Sequence, residues 1–96
     1  MTTKVLTTVY KKENCSQCRM TLITMKKHGI SPTIAKISDL SEDEIDGLKE
    51  KGMGHAPIVV FSYLREDRGV SVSETGLWSG FNPDEIKKLS KLYKEK

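Results

Sequence analysis

Cysteine is scarce in this chain. Only two occur, Cys15 and Cys18. A secreted scaffold stapled by disulfides needs more of them, closing wider loops. A structural zinc site needs four ligands, and the pair supplies two. Long apolar runs are missing as well, and nothing approaches the ~20 residues of a membrane span. The stretch from Met1 to Lys4 lacks the apolar segment and cleavage site of a secretory signal. These absences point to a cytoplasmic protein with no membrane partner. Neither sign of charge dominates: 16 Lys and Arg against 13 Asp and Glu leave a net charge of +3. The one dense basic run is Lys87, Lys88, Lys91, Lys94 and Lys96. Its spacing is that of a solvated helix face, so nucleic acid is not expected as a partner.

What is present fits one globular domain over residues 1–96, with 36% hydrophobic and 30% charged residues. The length allows a single modest core and is too short for two. A monomer is expected. Lys4 to Tyr10 is β-branched and aromatic and reads as a strand. From Cys15 to His28 there is no Gly or Pro. Cys18, Leu22 and Met25 fall at amphipathic helix spacing, and Gly29 is placed to end that helix. Thr33 to Ile37 alternates as a second strand. Ser41 and Glu44 form a capping box ahead of a helix that stops near Gly52. Pro57 opens an apolar strand, Ile58 to Tyr63. Leu64 to Gly69 reads as a charged turn, and Val70 to Trp78 as the returning strand of a hairpin. Asn82, Pro83 and Glu85 supply an N-cap, an N1 proline and an N3 glutamate for a last helix, with Ile86, Leu89 and Tyr93 on one face. The order is β-α-β-α-β-β-α. Its first unit implies a parallel pair joined by a right-handed crossover.

Cys15-Ser16-Gln17-Cys18 falls where the first strand gives way to the first helix. Unpaired N–H groups at a helix N-terminus, with the macrodipole, stabilise an anion. A thiolate there has a lowered pKa, and the thiolate is the nucleophile. Lys11, Lys12 and Arg19 add positive potential. The first cysteine of such a turn is exposed and the second is covered by the helix. Cys15 is therefore expected to attack a substrate disulfide and Cys18 to resolve the mixed disulfide. Zinc is the competing reading, with His28 and His55 as the remaining ligands. His28 lies roughly 15 Å from Cys18 along an unbroken helix at 1.5 Å per residue, so no metal is expected.

Pro57 alone decides little, since few X-Pro bonds are cis and a proline often opens a strand. Trp78 reads first as a core residue. Phe81 reads as a staple onto the last helix or, with Trp78, as an apolar patch beside Cys15. His55 either brings a cationic ring to Cys15 or points away from it. Alternation along an extended segment favours the second.

Taken together, Val9-Tyr10, Lys12, Asn14 to Cys18, Ala56-Pro57-Ile58-Val59-Val60 and Trp78-Ser79-Gly80-Phe81-Asn82-Pro83-Asp84 resemble the NrdH redoxins, glutaredoxin-like proteins with thioredoxin-like behaviour. The resemblance runs from about Val5 to Leu89. It implies an α/β thioredoxin fold, a four-stranded mixed sheet flanked by three helices, with Pro57 cis and facing the C-x-x-C turn. Cys15 is then the nucleophile and Cys18 the resolving thiol. Lys12, Ser16, Gln17, Ala56, Pro57, Trp78, Ser79, Gly80 and Phe81 form the partner-contacting set, with substrate backbone pairing at Ala56 as an added strand. No cofactor is implied beyond a reversible Cys15–Cys18 disulfide. The implied partners are NADPH-dependent thioredoxin reductase as donor and class Ib ribonucleotide reductase as acceptor. The chain departs from the family at Glu13, often proline, and at His55, often glutamine. Its hairpin over residues 61–77 is longer, and its C-terminus is more basic.

Two alternatives stand beside this reading. A glutathione-dependent glutaredoxin usually carries C-P-Y-C, T-V-P and a G-G-x-D-D-like segment. Much of that polar set is missing here. An iron–sulfur module would need four sulfurs, hence a dimer or external thiols.

Overall fold

The computed structural model describes residues 2–94. Met1 and the end of the basic tail, including Lys96, lie outside them. The elements run β1 (Thr2–Lys11), α1 (Ser16–Lys27), β2 (Thr33–Lys36), α2 (Glu42–Glu50), β3 (Ile58–Asp67), β4 (Val70–Ser79) and α3 (Pro83–Lys94). The sheet order is β2-β1-β3-β4. β1 and β2 are parallel, while β1–β3 and β3–β4 are antiparallel. The mixed sheet and its three helices are those expected from the order of elements.

Local chemistry sets most of the boundaries. α1 ends at His28, and Gly29 takes φ +77, a backbone that glycine adopts without steric cost. The capping box of α2 is complete. Glu44 N–H donates to Ser41 Oγ at 3.2 Å, and Ser41 N–H donates to Glu44 Oε1 at 3.3 Å. At α3, Glu85 N–H donates to Asn82 Oδ1 at 3.2 Å. β2 is one residue shorter than its alternation suggests. Lys36 N–H turns to the Asp39 carboxylate at 3.3 Å, and Ile37–Asp39 form a 3-10 turn.

The hairpin departs furthest from expectation. Leu64 to Asp67 continue β3, with Arg65 opposite Val72 and Asp67 opposite Val70. Only Arg68 and Gly69 form the turn, both at positive φ (52 and 81), as a two-residue type I′ connection requires. The charged residues read as loop are instead a solvated strand, held by the ladder.

Alternation in register sorts the sheet into two faces. Val9, Val59 and Trp78 are aligned across β1, β3 and β4. They join Val5, Met25, Ile30, Tyr63, Ile86 and Leu89 in the buried core, so α1 and α3 cover this face. Each large apolar side chain buried there stabilises by roughly 1.5–3 kcal/mol. Thr7 Oγ1 and Tyr93 Oη share a hydrogen bond at 2.7 Å that ties β1 to α3. The opposite parity, Tyr10, Ile58, Val60 and Leu77, meets α2 through Gly47 and Leu48 across a cleft. The C-terminal end of β1 thus runs directly into the first helix, the place where the cysteines fall.

Candidate active site

The turn between β1 and α1 is built to present two sulfurs. Asn14 adopts φ 55, a left-handed backbone that asparagine tolerates better than most residues. The chain then enters α1 with Cys15 as the N-cap residue itself. Cys15 and Cys18 form a disulfide with Cα atoms 5.2 Å apart. Cys15 is partly exposed, whereas Cys18 is 3% exposed. Cys18 N–H donates to Cys15 Sγ at 3.1 Å. This donor is one of the orphan N–H groups of the first helical turn. Once the disulfide is reduced, it faces a thiolate, and charge-assisted bonds are the stronger kind. The same turn is anchored from below, where the buried Thr21 Oγ1 donates to Gln17 C=O at 2.8 Å.

The loop after β4 closes on this turn and is itself tied to the segment before β3. The Ala56–Pro57 peptide bond is cis, and Pro57 is buried. Gly80 N–H donates to Pro57 C=O at 2.8 Å. The next donor along the chain, Phe81 N–H, reaches Gln17 Oε1 at 3.1 Å. Gly80 itself takes φ +77, and a Cβ there would lie 3.1 Å from Gln17 Oε1. The left-handed backbone favours glycine at this position, and the space beside Gln17 Oε1 is tight. Gln17, Pro57, Gly80 and Phe81 are thereby brought into one hydrogen-bonded assembly from three stretches far apart in sequence.

The remaining residues singled out in the sequence divide. Lys12 lines a cleft of about 460 Å³ beside the disulfide, together with Lys11, Glu13, Asn14, Arg19, Leu22 and Lys36. Ser16 is exposed at the first position of α1. Ala56 and Ser79 are half-buried. Trp78 belongs to the core, 6% exposed, with its ring tilted 54° to that of Phe61 at a centroid distance of 6.1 Å. Its Nε1 has no hydrogen-bond partner among the described residues. Phe81 packs half-buried against the same core. His55 is exposed and is not part of the cleft lining. His28 caps the far end of α1. Among the described residues no three His, Cys, Asp or Glu side chains are grouped to hold a metal ion. No helix there is long and apolar enough to cross a membrane.

Lys36 is the one cleft residue that sequence reasoning passed over. Its signal lay in the parallel pairing itself, since β2 ends beside the end of β1, with Lys36 opposite Lys11.

No protein-family model matches the chain. It is similar to the glutaredoxin-like protein NrdH of Salmonella typhimurium, with 32% identity over 82 residues, 85% of each chain. It is also similar to a solved structure of the glutaredoxin-like protein NrdH-redoxin from Escherichia coli, a protein with a thioredoxin-like activity profile. That match has a TM-score of 0.58 at 25% identity and covers 86% of this chain and 92% of the other. A glutaredoxin from Archaeoglobus fulgidus aligns over 86% of this chain and 83% of its own at TM-score 0.48 and 23% identity. The thioredoxin-like fold implied by the sequence is the fold of this chain.

Proposed function

The chain belongs to the NrdH glutaredoxin-like proteins, and from that membership we propose that it carries electrons from NADPH-dependent thioredoxin reductase to a protein disulfide, that of class Ib ribonucleotide reductase. It is a thiol–disulfide oxidoreductase with a Cys15–Cys18 couple. In the proposed cycle the Cys15 thiolate attacks one sulfur of the target disulfide. A mixed disulfide forms and the other target sulfur leaves as a thiolate, which takes a proton. Cys18 loses its proton and attacks Cys15 Sγ, and the second target sulfur leaves as a thiolate that is protonated in turn. Two electrons have then passed to the target, with one proton balanced by Cys18 and the other by solvent. The Cys15–Cys18 disulfide remains for the reductase to reduce in the cytosol.

One observation carries the choice of donor. The backbone N–H groups of Gly80 and Phe81 are already used, by Pro57 C=O and Gln17 Oε1. In glutathione-dependent relatives the matching segment holds the tripeptide. Here both donors are spent on partners within the chain, which favours a protein reductase over glutathione. The thioredoxin-like profile of the Escherichia coli relative supports the same reading. The test is insulin reduction run in two arms, NADPH with thioredoxin reductase and NADPH with glutathione and glutathione reductase. Turnover predominantly in the first arm is expected. Equal or faster turnover in the second would overturn the assignment.

A further inference from the structure

Four cations and a single acid surround the cleft at the disulfide: Lys11, Lys12, Arg19, Lys36 and Glu13. A second cleft, of about 500 Å³, is lined by Lys11, Lys12, Glu13, Lys36, Ile37 and Ser38. All four cations are exposed. Among the described residues none of them is in an ion pair. The carboxylate of Asp39 accepts the backbone N–H of Lys36. Lys11 and Lys36 are directly opposite on adjacent strands. Both side chains are solvated, so water and salt screen their repulsion. An anion settling between them would meet two cations that are in no ion pair among the described residues.

We propose that this cleft receives an acidic, extended segment of the protein substrate, the segment that carries the disulfide to be reduced. Carboxylates flanking the target cysteines would lie against Lys11 and Lys36 while the sulfur meets Cys15 at the same cleft. The proposal rests on the reading that the protein reduces protein disulfides. Clefts lined by one sign of charge raise the local concentration and on-rate of the opposite sign by roughly 10- to 1,000-fold. Between exposed charges the effect is screened over about 10 Å at 0.1 M salt. The same cations also favour the Cys15 thiolate, but that effect is indifferent to the charge of the substrate.

The test uses three disulfide peptides of equal length, with acidic, uncharged and basic residues beside the cysteines, and glutathione disulfide as a small anionic control. At low ionic strength kcat/KM for the acidic peptide should exceed that for the basic one by about tenfold or more, and high salt should erase the difference. In the double variant Lys11→Glu, Lys36→Glu, the acidic-to-basic ratio should invert after each rate is divided by that of the uncharged peptide. A general loss of folding or thiolate reactivity cancels in that ratio. Should the reversal variant not fold, Lys11→Gln with Lys36→Gln is expected to bring the ratio toward one. Equal, salt-insensitive rates for the three peptides would overturn the proposal and leave the reductase reading standing. So would a salt-sensitive advantage confined to glutathione disulfide, which would point to a small anionic ligand. Failure to reduce any peptide would overturn the reductase reading and the proposal with it.

Discussion

Gln17 occupies a position that a C-x-x-C pattern leaves unspecified, yet its side chain joins the active turn to the loop after β4. Its Oε1 accepts Phe81 N–H across a separation of 64 residues. Replacing Gln17 with Leu removes the acceptor and leaves that donor to water. A loss of roughly 0.5–1.5 kcal/mol is expected, nearer the lower end because the bond is exposed. Hydrogen exchange should also quicken at the Phe81 amide. Gln17→Glu retains an acceptor and should keep the protection. Unchanged exchange in the Leu variant would remove the tie from the account. His55 is the contrasting case, exposed and outside the cleft lining. Its replacement by Gln should leave the pH profile of Cys15 alkylation unmoved, and a displaced midpoint would put the ring back beside the sulfur.

At the scale of elements, α1 carries the chemistry because its first residue cap is a sulfur. In the reduced protein Cys15 is expected to titrate below an ordinary free cysteine. Cys18 N–H, the helix N-terminus and the surrounding cations all favour the thiolate. The rate of iodoacetamide alkylation against pH measures this, and a midpoint at or above the free-thiol value would contradict it. The hairpin offers a separate test. Arg68 holds a left-handed backbone at φ 52, which costs an L-residue with a bulky side chain roughly 1–2 kcal/mol. Arg68→Asn, giving the Asn-Gly pair that type I′ turns prefer, should raise stability by up to about 1 kcal/mol. A lowered thermal midpoint would show that the Arg68 side chain contributes something the backbone does not reveal. Element order, the α2 capping box and the α1 boundary were legible in the sequence because each is set by neighbours within about four residues. How far the strands of the hairpin pair was not. Arg65, Glu66 and Asp67 have the composition of a loop, and only pairing with Val70 to Val72 makes them a strand.

For the molecule as a whole, the sulfur pair was legible from one spacing and its position ahead of a helix. Its surroundings were not. The Gln17–Phe81 bond, the Gly80–Pro57 bond and the approach of Lys36 to Lys11 all arise from register between distant segments. The fold leaves Cys15 partly exposed at the start of α1 and buries Cys18 one turn into it. Leu89, 1% exposed, should cost about 2–5 kcal/mol on replacement by Ala, read by denaturant unfolding. The asymmetry between the two sulfurs is tested by intact-mass measurement of two single-cysteine variants mixed with an oxidised protein substrate. Cys18→Ser should accumulate a covalent adduct through Cys15, since the attacking thiolate is present and the resolving thiol is gone. Cys15→Ser should accumulate none and reduce nothing. Adducts on Cys15→Ser with none on Cys18→Ser would contradict the assignment of Cys15 as the attacking sulfur.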